Sequence, residues 1–171
     1  MLIVLGGLPA TGKTTLARAL ARRTGAVHLR VDTIEQALLD SGELAAPLGP
    51  VGYVVAHALA GEHLRQGLTV VAESVNPLAV TRDAWRAVAA RAGARCLEAE
   101  TVCSDPAEHR RRAEQRTVDV PGLVLPDWTA VTTRPYEPWD RDHLVLDTAH
   151  RSIEDCAAEL FAAVRALELP Q

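Results

Sequence analysis

Lysine is almost missing from this 171-residue chain: of 18 lysines and arginines, one, Lys13, is lysine and the rest are arginine. Aromatic residues make up 4% of the chain, with a single phenylalanine, which favours a core of helices on a sheet over an all-β core. The three cysteines, Cys96, Cys103 and Cys156, are odd in number and widely spaced, so no disulfide framework follows. Free, mostly buried thiols in a reducing cytoplasm are expected. The six histidines show neither an H-x₃-H spacing nor cysteine partners, which argues against a structural zinc site. No apolar run approaches the roughly eighteen residues of a membrane span. The N-terminus has no charged segment ahead of its first apolar run, so no signal peptide is expected. Positive charge is also in deficit: the formal net charge is −4, against an extended nucleic-acid surface, with Arg110-Arg111-Arg112 as a local exception.

The lone lysine sits in Gly7-Leu8-Pro9-Ala10-Thr11-Gly12-Lys13-Thr14, which matches the phosphate-loop pattern G-x-x-x-x-G-K-[ST] at every constrained position. The apolar run Leu2-Ile3-Val4-Leu5 before it reads as a buried strand. The alanine- and leucine-rich segment after it, with Leu16 and Leu20 four apart, reads as a helix against a sheet. Glycines let backbone N–H groups turn towards an anion, and a helix N-terminus adds partial positive charge at the same point. Gly7 to Thr15 is therefore the expected cradle for nucleotide phosphates. Lys13 is expected to reach the β- and γ-phosphates of ATP and the Thr14 hydroxyl to ligate Mg²⁺.

Strands and helices alternate along the rest of the chain. Strands are expected at 27–31, 68–72, 95–102 and 143–146, and helices at about 33–39, 51–66, 77–91, 105–116 and 153 onwards, with Ser152 as the cap of the last. Asn76-Pro77 reads as an N-cap and N1 pair. Asp105-Pro106-Ala107-Glu108 combines cap, proline and N3 acid. The stretch 117–142, with Pro121, Pro126, Pro135 and Pro138, reads as loop. This alternation predicts one α/β domain spanning 1–171, a parallel sheet with helices on both faces, and ligands at the carboxyl ends of the strands.

Candidate residues follow those strand ends. Asp32 is placed to accept a proton from an acceptor hydroxyl or to orient it, although Asp32-Thr33-Ile34-Glu35 also spells a capping box. Glu73 stands where an acid helps hold Mg²⁺, or is merely an acid at a strand end. Arg82 and Arg86 either reach an anionic substrate or form a solvated face. Arg112 and Arg116, four apart, are the candidate lid arginines for charge developing on a transferring phosphoryl group; salt bridges to Glu108 and Glu114 are the plainer reading of the cluster. Trp128, Tyr136 and Trp139 suggest a pocket wall or a small satellite core. Asp147-Thr148 lies where a loop could cover an adenine.

With the loop Gly7 to Thr15, Asp32, Glu73-Ser74-Val75-Asn76-Pro77, Cys103-Ser104-Asp105 with Arg112 and Arg116, and Tyr136-Glu137-Pro138-Trp139, nearly the whole chain resembles the P-loop kinases of the AAA_33 type. More distantly it is similar to gluconate kinase, adenylyl-sulfate kinase, chloramphenicol phosphotransferase and the polynucleotide kinase domain. The resemblance implies a P-loop three-layer sandwich with five parallel strands in the order 2-3-1-4-5 and a short arginine-bearing lid at about 105–126. It also implies a cytoplasmic, ATP- and Mg²⁺-dependent phosphotransferase whose acceptor is a hydroxyl of a small metabolite or natural product, contacted by Asp32. Two positions depart from the relatives, Glu35 where arginine is frequent and Glu73 where aspartate is frequent. A kinase for polynucleotide or nucleoside 5′-hydroxyls and an ATPase switch without an acceptor are the alternatives. A guanine-reading N-K-x-D needs a second lysine, so a Ras-type GTPase is excluded.

Overall fold

A computed structural model describes residues 1–168. Five parallel strands form one sheet in the order β2-β3-β1-β4-β5: β1 Leu2–Gly6, β2 Val27–Arg30, β3 Val70–Glu73, β4 Cys96–Val102 and β5 Leu144–Asp147. Alternation along β1 assigns its residues to the two faces. Leu2 and Val4 join one core with Val31, Ala56, Ala60, Leu64 and Trp85, from α2 (Val31–Asp40), α3 (Val51–Arg65) and α4 (Ala79–Arg91). Ile3 and Leu5 join the other with Leu16 and Leu20 of α1 (Lys13–Thr24) and Cys156, Leu160 and Val164 of α7 (Ile153–Glu168). The result is the three-layer P-loop sandwich with helices on both faces. No described helix is long and apolar enough to cross a membrane.

Two helix starts differ from the sequence expectation. Helix α2 begins at Val31 with Arg30 in the N-cap position, so Asp32 lies inside the first turn and does not cap it. Helix α4 begins at Ala79 after Leu78, and Asn76 is no cap: it is buried with φ 51° and accepts a 3.0 Å hydrogen bond from Trp85 Nε1. The acceptor for the Ala79 amide comes from Glu137 Oε2 at 2.6 Å, 58 positions away, which no local pattern could announce. Asp105 and Ser152 do cap α5 (Pro106–Gln115) and α7, accepting from Ala107 N and Asp155 N. The expected loop 117–142 contains one short helix, α6, Trp128–Thr132, capped by Asp127. Of the cysteines only Cys156 is fully buried; Cys96 and Cys103 are half-buried, and all three are free.

Arg82 meets neither expectation set for it. It is fully buried, donates to Glu137 O at 3.0 Å and Pro138 O at 3.1 Å, and lies over the Trp139 ring. Arg86 pairs with Glu98. Tyr136, Trp139 and His143 form a satellite cluster: Tyr136 donates to Glu100 Oε1, Trp139 Nε1 to Tyr136, and Trp139 stacks on His143. Trp128 is apart, edge-on to His109. Arg82 therefore fastens the 137–139 segment to α4 from inside. Arg82→Ala removes two hydrogen bonds to backbone carbonyls, each worth about 1 kcal/mol, and opens a cavity where a fully buried side chain stood. Urea titration is expected to show a loss of at least about 3 kcal/mol; an unchanged midpoint would refute this anchoring role.

Candidate active site

The loop between β1 and α1 has its shape because of one close approach. Gly7 has φ 129°, and a Cβ there would lie 2.2 Å from Thr101 O, so only glycine lets the loop pass so near β4. Thr101 Oγ1 donates to Gly6 O at 3.1 Å and lies 2.7 Å from Thr11 Oγ1, which bonds Leu8 O at 2.8 Å. Thr148 Oγ1 reaches Thr11 O at 3.0 Å and His109 Nε2 meets Pro9 O at 2.8 Å, so β4, α5 and the turn after β5 all brace the loop. Ala10 and Gly12 both take positive φ, and Gly12 starts α1 with no side chain capping its amides and no acid in its first turn. The N–H groups at this helix end, with its partial positive charge, form an anion cradle.

Lys13 is buried at 8% exposure and donates to Leu8 O at 2.8 Å. Burial pushes its ammonium down to about 8; the nearby carboxylates Glu73 and Asp32 oppose that shift, and Arg116 and Arg30 reinforce it. At the end of β3, Glu73 is buried against His28 Nε2 at 2.9 Å and bonded by Thr14 Oγ1, with Arg30 Nε at 3.8 Å. Burial raises its pKa, yet His28, Thr14, Lys13 and Arg30 together hold it below the ordinary glutamate range.

Thr14 and Glu73 thus present a hydroxyl and a carboxylate side by side, hard oxygen donors of the kind Mg²⁺ takes while keeping most of its waters. No cluster of three His, Cys, Asp or Glu suited to a metal occurs among the described residues. The fit is to a metal shared with phosphate oxygens, not to an all-protein cage.

A cleft of about 1050 Å³ brings together Lys13, Thr14, Asp32, Glu73, Arg112 and Arg116. Arg112 and Arg116 differ in their engagements. Arg112 is held by Glu108 through Nε and by Thr148 Oγ1 and O through its two terminal nitrogens, all at 2.7–2.8 Å. Arg116 lies just past the end of α5 in extended backbone, and its buried Nε and Nη2 have no hydrogen-bond partner among the described residues. Burial lowers its pKa while Asp32 and Asp119 oppose that shift. Arg110 and Arg111 are exposed and pair with Glu114 and Glu108. Asp147 accepts from Ser104 N and Ala149 N, and Thr148 is bound to the loop, so this turn is structurally engaged.

Several groups at the cleft went unrecognised in the sequence. Arg30 contacts Asp32 at 3.4 Å, Glu73, and Asp119 at 2.8 Å, and Asp119 also bonds Arg18 at 2.7 Å. This ties the segment after α5 to α1 and the end of β2. The signal was present: His28 and Arg30 alternate as polar residues within a short strand, marking one face of β2 as polar. Glu35, noted in the sequence as a capping-box acid, and Tyr53, on a helix expected near the acceptor, also line the cleft, and Gly122 packs its backbone on Gln36 of α2.

A nucleotide-binding loop on a 2-3-1-4-5 parallel sheet defines a P-loop kinase-like α/β protein. The model of the AAA_33 family, an AAA domain, matches residues 2–135, and the chain belongs to that family. It is 28% identical over 177 aligned positions to a protein of Aeropyrum pernix described as a probable adenylyl-sulfate kinase, covering 98% of this chain and 93% of the other. A gluconokinase from Sinorhizobium meliloti superposes with a TM-score of 0.67 at 20% identity, over 96% and 91% of the two chains. The Mycobacterium tuberculosis APS kinase in complex with AMPPNP and APS superposes with a TM-score of 0.59 at 20% identity, over 96% of each.

The buried ammonium generates a pH prediction. Lys13 is charged in the unfolded chain up to about pH 10.5 but in the folded, nucleotide-free protein only up to about 8. The cost of burying its charge is therefore fully present below pH 8 and fades between pH 8 and 10.5. At pH 7, Lys13→Met is expected to stabilise the nucleotide-free protein by up to about 3 kcal/mol in urea titrations, with the gain vanishing towards pH 10.5. In metal-free buffer, ADP affinity is expected to weaken by up to tenfold per pH unit above pH 8, because phosphate prefers the ammonium. Calorimetry showing flat affinity from pH 7 to 10 would contradict it.

Proposed function

We propose that this chain is an ATP- and Mg²⁺-dependent kinase that transfers the γ-phosphate to a hydroxyl of a small metabolite or natural product. The observation that carries the reading is the meeting, in one cleft, of the buried Lys13 ammonium, the Asp32 carboxylate and the unpartnered Arg116 guanidinium. Kinase relatives that include a gluconokinase and an APS kinase support it. The acidic chain favours a small acceptor over an oligonucleotide.

In this reading the backbone amides of Gly7 to Thr15 and the Lys13 ammonium bind the β- and γ-phosphates. Thr14 and Glu73, the latter directly or through water, hold Mg²⁺, which when bound neutralises charge on those oxygens. Asp32 orients the acceptor hydroxyl and takes its proton as the oxygen attacks the γ-phosphorus and the bond to the β–γ bridging oxygen breaks. Arg116 supplies donors to the transferring group, where guanidinium contributes most once water is excluded. Arg112, already committed to Thr148 and Glu108, acts mainly by bracing the loop after β5 against the phosphate loop. Residues 105–126 act as the lid of a single domain, with Asp119 linking that lid to Arg18 and Arg30.

An ADP-release screen with Mg-ATP across sugars, nucleosides, aminoglycosides and amino alcohols tests the transferase, and ADP formation with no phosphorylated acceptor in any class would overturn it. Lys13→Ala and Asp32→Asn are each expected to lower turnover by about 10²–10³-fold or more. Only Lys13→Ala should lose ATP affinity as well. Comparable loss of ATP affinity in both variants would mean that Asp32 does not serve the acceptor hydroxyl. Arg116→Ala is expected to lower kcat by a similar factor, and Arg112→Ala by clearly less; the reverse order would exchange their roles.

A further inference from the structure

The acceptor end of the cleft has a chemical character of its own. We propose that the acceptor is an amino alcohol, a small molecule bearing an ammonium about two or three carbons from the hydroxyl it offers, with Glu35 binding that ammonium. This inference rests on the kinase function proposed for the cleft and adds a substrate class to it.

Asp32 and Glu35 are three apart on α2, so they share a helix face, with Cβ atoms about 5–6 Å apart. Both line the cleft. Asp32 has a partner in Arg30, but Glu35 makes no hydrogen bond or ion pair among the described residues. It is half-buried, and burial followed by the Asp32 charge raises its pKa, with Arg134 opposing. Arg134 is exposed and stops short of an ion pair, so the partly desolvated carboxylate has only that more distant charge to offset its burial. Such a group favours a cation that arrives with the ligand.

Gly52 makes the placement specific. A Cβ at this position, in the first turn of α3, would lie 2.3 Å from Glu35 Cγ and 2.7 Å from Oε1. Its φ is not positive, so the backbone does not require glycine here, and alanine would favour the helix by up to about 1 kcal/mol. What the glycine provides is room for Glu35 to lie against α3 and face the cleft.

A second, independent feature marks this end as a ligand site. Ser74 is 4% exposed and lines the same cleft; it lies beside the Tyr53 hydroxyl, yet among the described residues its Oγ meets no neighbour in hydrogen-bonding geometry. A buried hydroxyl left without a partner is uncommon, and a polar ligand supplies one. The charges acting on Lys13 include Glu73, Asp32, Arg116 and Arg30, whereas those acting on Glu35 are Asp32 and Arg134. An ammonium on the acceptor complements the Asp32 and Glu35 carboxylates as phosphate complements Lys13.

The test uses Mg-ATP with matched pairs that differ in the amine: glucosamine and glucose, streptamine and scyllo-inositol, serinol and glycerol, with gluconate as an anionic control. Phosphorylated product is read by phosphorus NMR and ADP release. Amines are expected to exceed their partners by roughly tenfold or more in kcat/KM. Glu35→Gln should raise the amine KM by a similar factor while leaving the KM for ATP and the kcat at saturation nearly unchanged. Gly52→Ala, which displaces the carboxylate, should do the same, and Glu35→Asp should retain part of the preference. Equal or better use of the polyols or gluconate, or an amine preference that survives Glu35→Gln, overturns the inference and leaves the kinase intact. If no member of any pair is phosphorylated, this inference fails, and the hydroxyl-kinase reading is decided separately by the wider acceptor screen.

Discussion

Everything at the carboxyl edge of the sheet depends on the passage of Gly7 past Thr101. A loop that comes within van der Waals distance of the neighbouring strand has no space for a side chain, and in return its amides and Lys13 are held by β4, α5 and the turn after β5 together. That bracing holds an ammonium in a nearly dry position where water cannot screen it. The charge is costly to bury and correspondingly effective at attracting phosphate. Stability is given up locally to create an electrostatically prepared site.

The charges around Lys13 form a graded series. Glu73, with His28, Thr14 and Arg30 on it, stays ionised although buried. Arg30 joins Glu73, Asp32 and Asp119, so the base of the cleft and the segment after α5 belong to one ionic network. Arg116 and Glu35 make no hydrogen bond to that network, one a cation and the other an anion, and among the described residues neither the buried Nε and Nη2 of Arg116 nor the Glu35 carboxylate has a hydrogen-bond partner. Ion pairs that are satisfied within the protein hold the architecture; those left open are the ones free to meet ligands.

The phosphate loop and the five strands were legible because their signals are local. An octet with fixed glycines and lysine needs no partner to be recognised, and the apolar runs at 2–5 and 70–72 carry their burial in their composition. The Asp105 and Ser152 caps were readable for the same reason. Asn76 was misread as a cap because Asn-Pro is a frequent helix start, whereas its real partners are Trp85 in the middle of α4 and Tyr53 on α3. Asp32-Thr33-Ile34-Glu35 looked like a capping box; the helix starts two residues earlier, and both acids line the cleft.

By itself, the sequence determined that this protein holds nucleotide phosphate, that its sheet is parallel, and that its one lysine belongs to the loop. Short-range rules of backbone conformation and hydrophobic period suffice for those. Tertiary structure alone decided that Arg82 is an internal fastener, that Arg112 is occupied while Arg116 is open, and that Glu35 lies against Gly52 without a partner. Each of these depends on which distant groups satisfy a charge or a hydrogen bond. Satisfaction is a property of three-dimensional neighbours, and the chain order does not encode it directly.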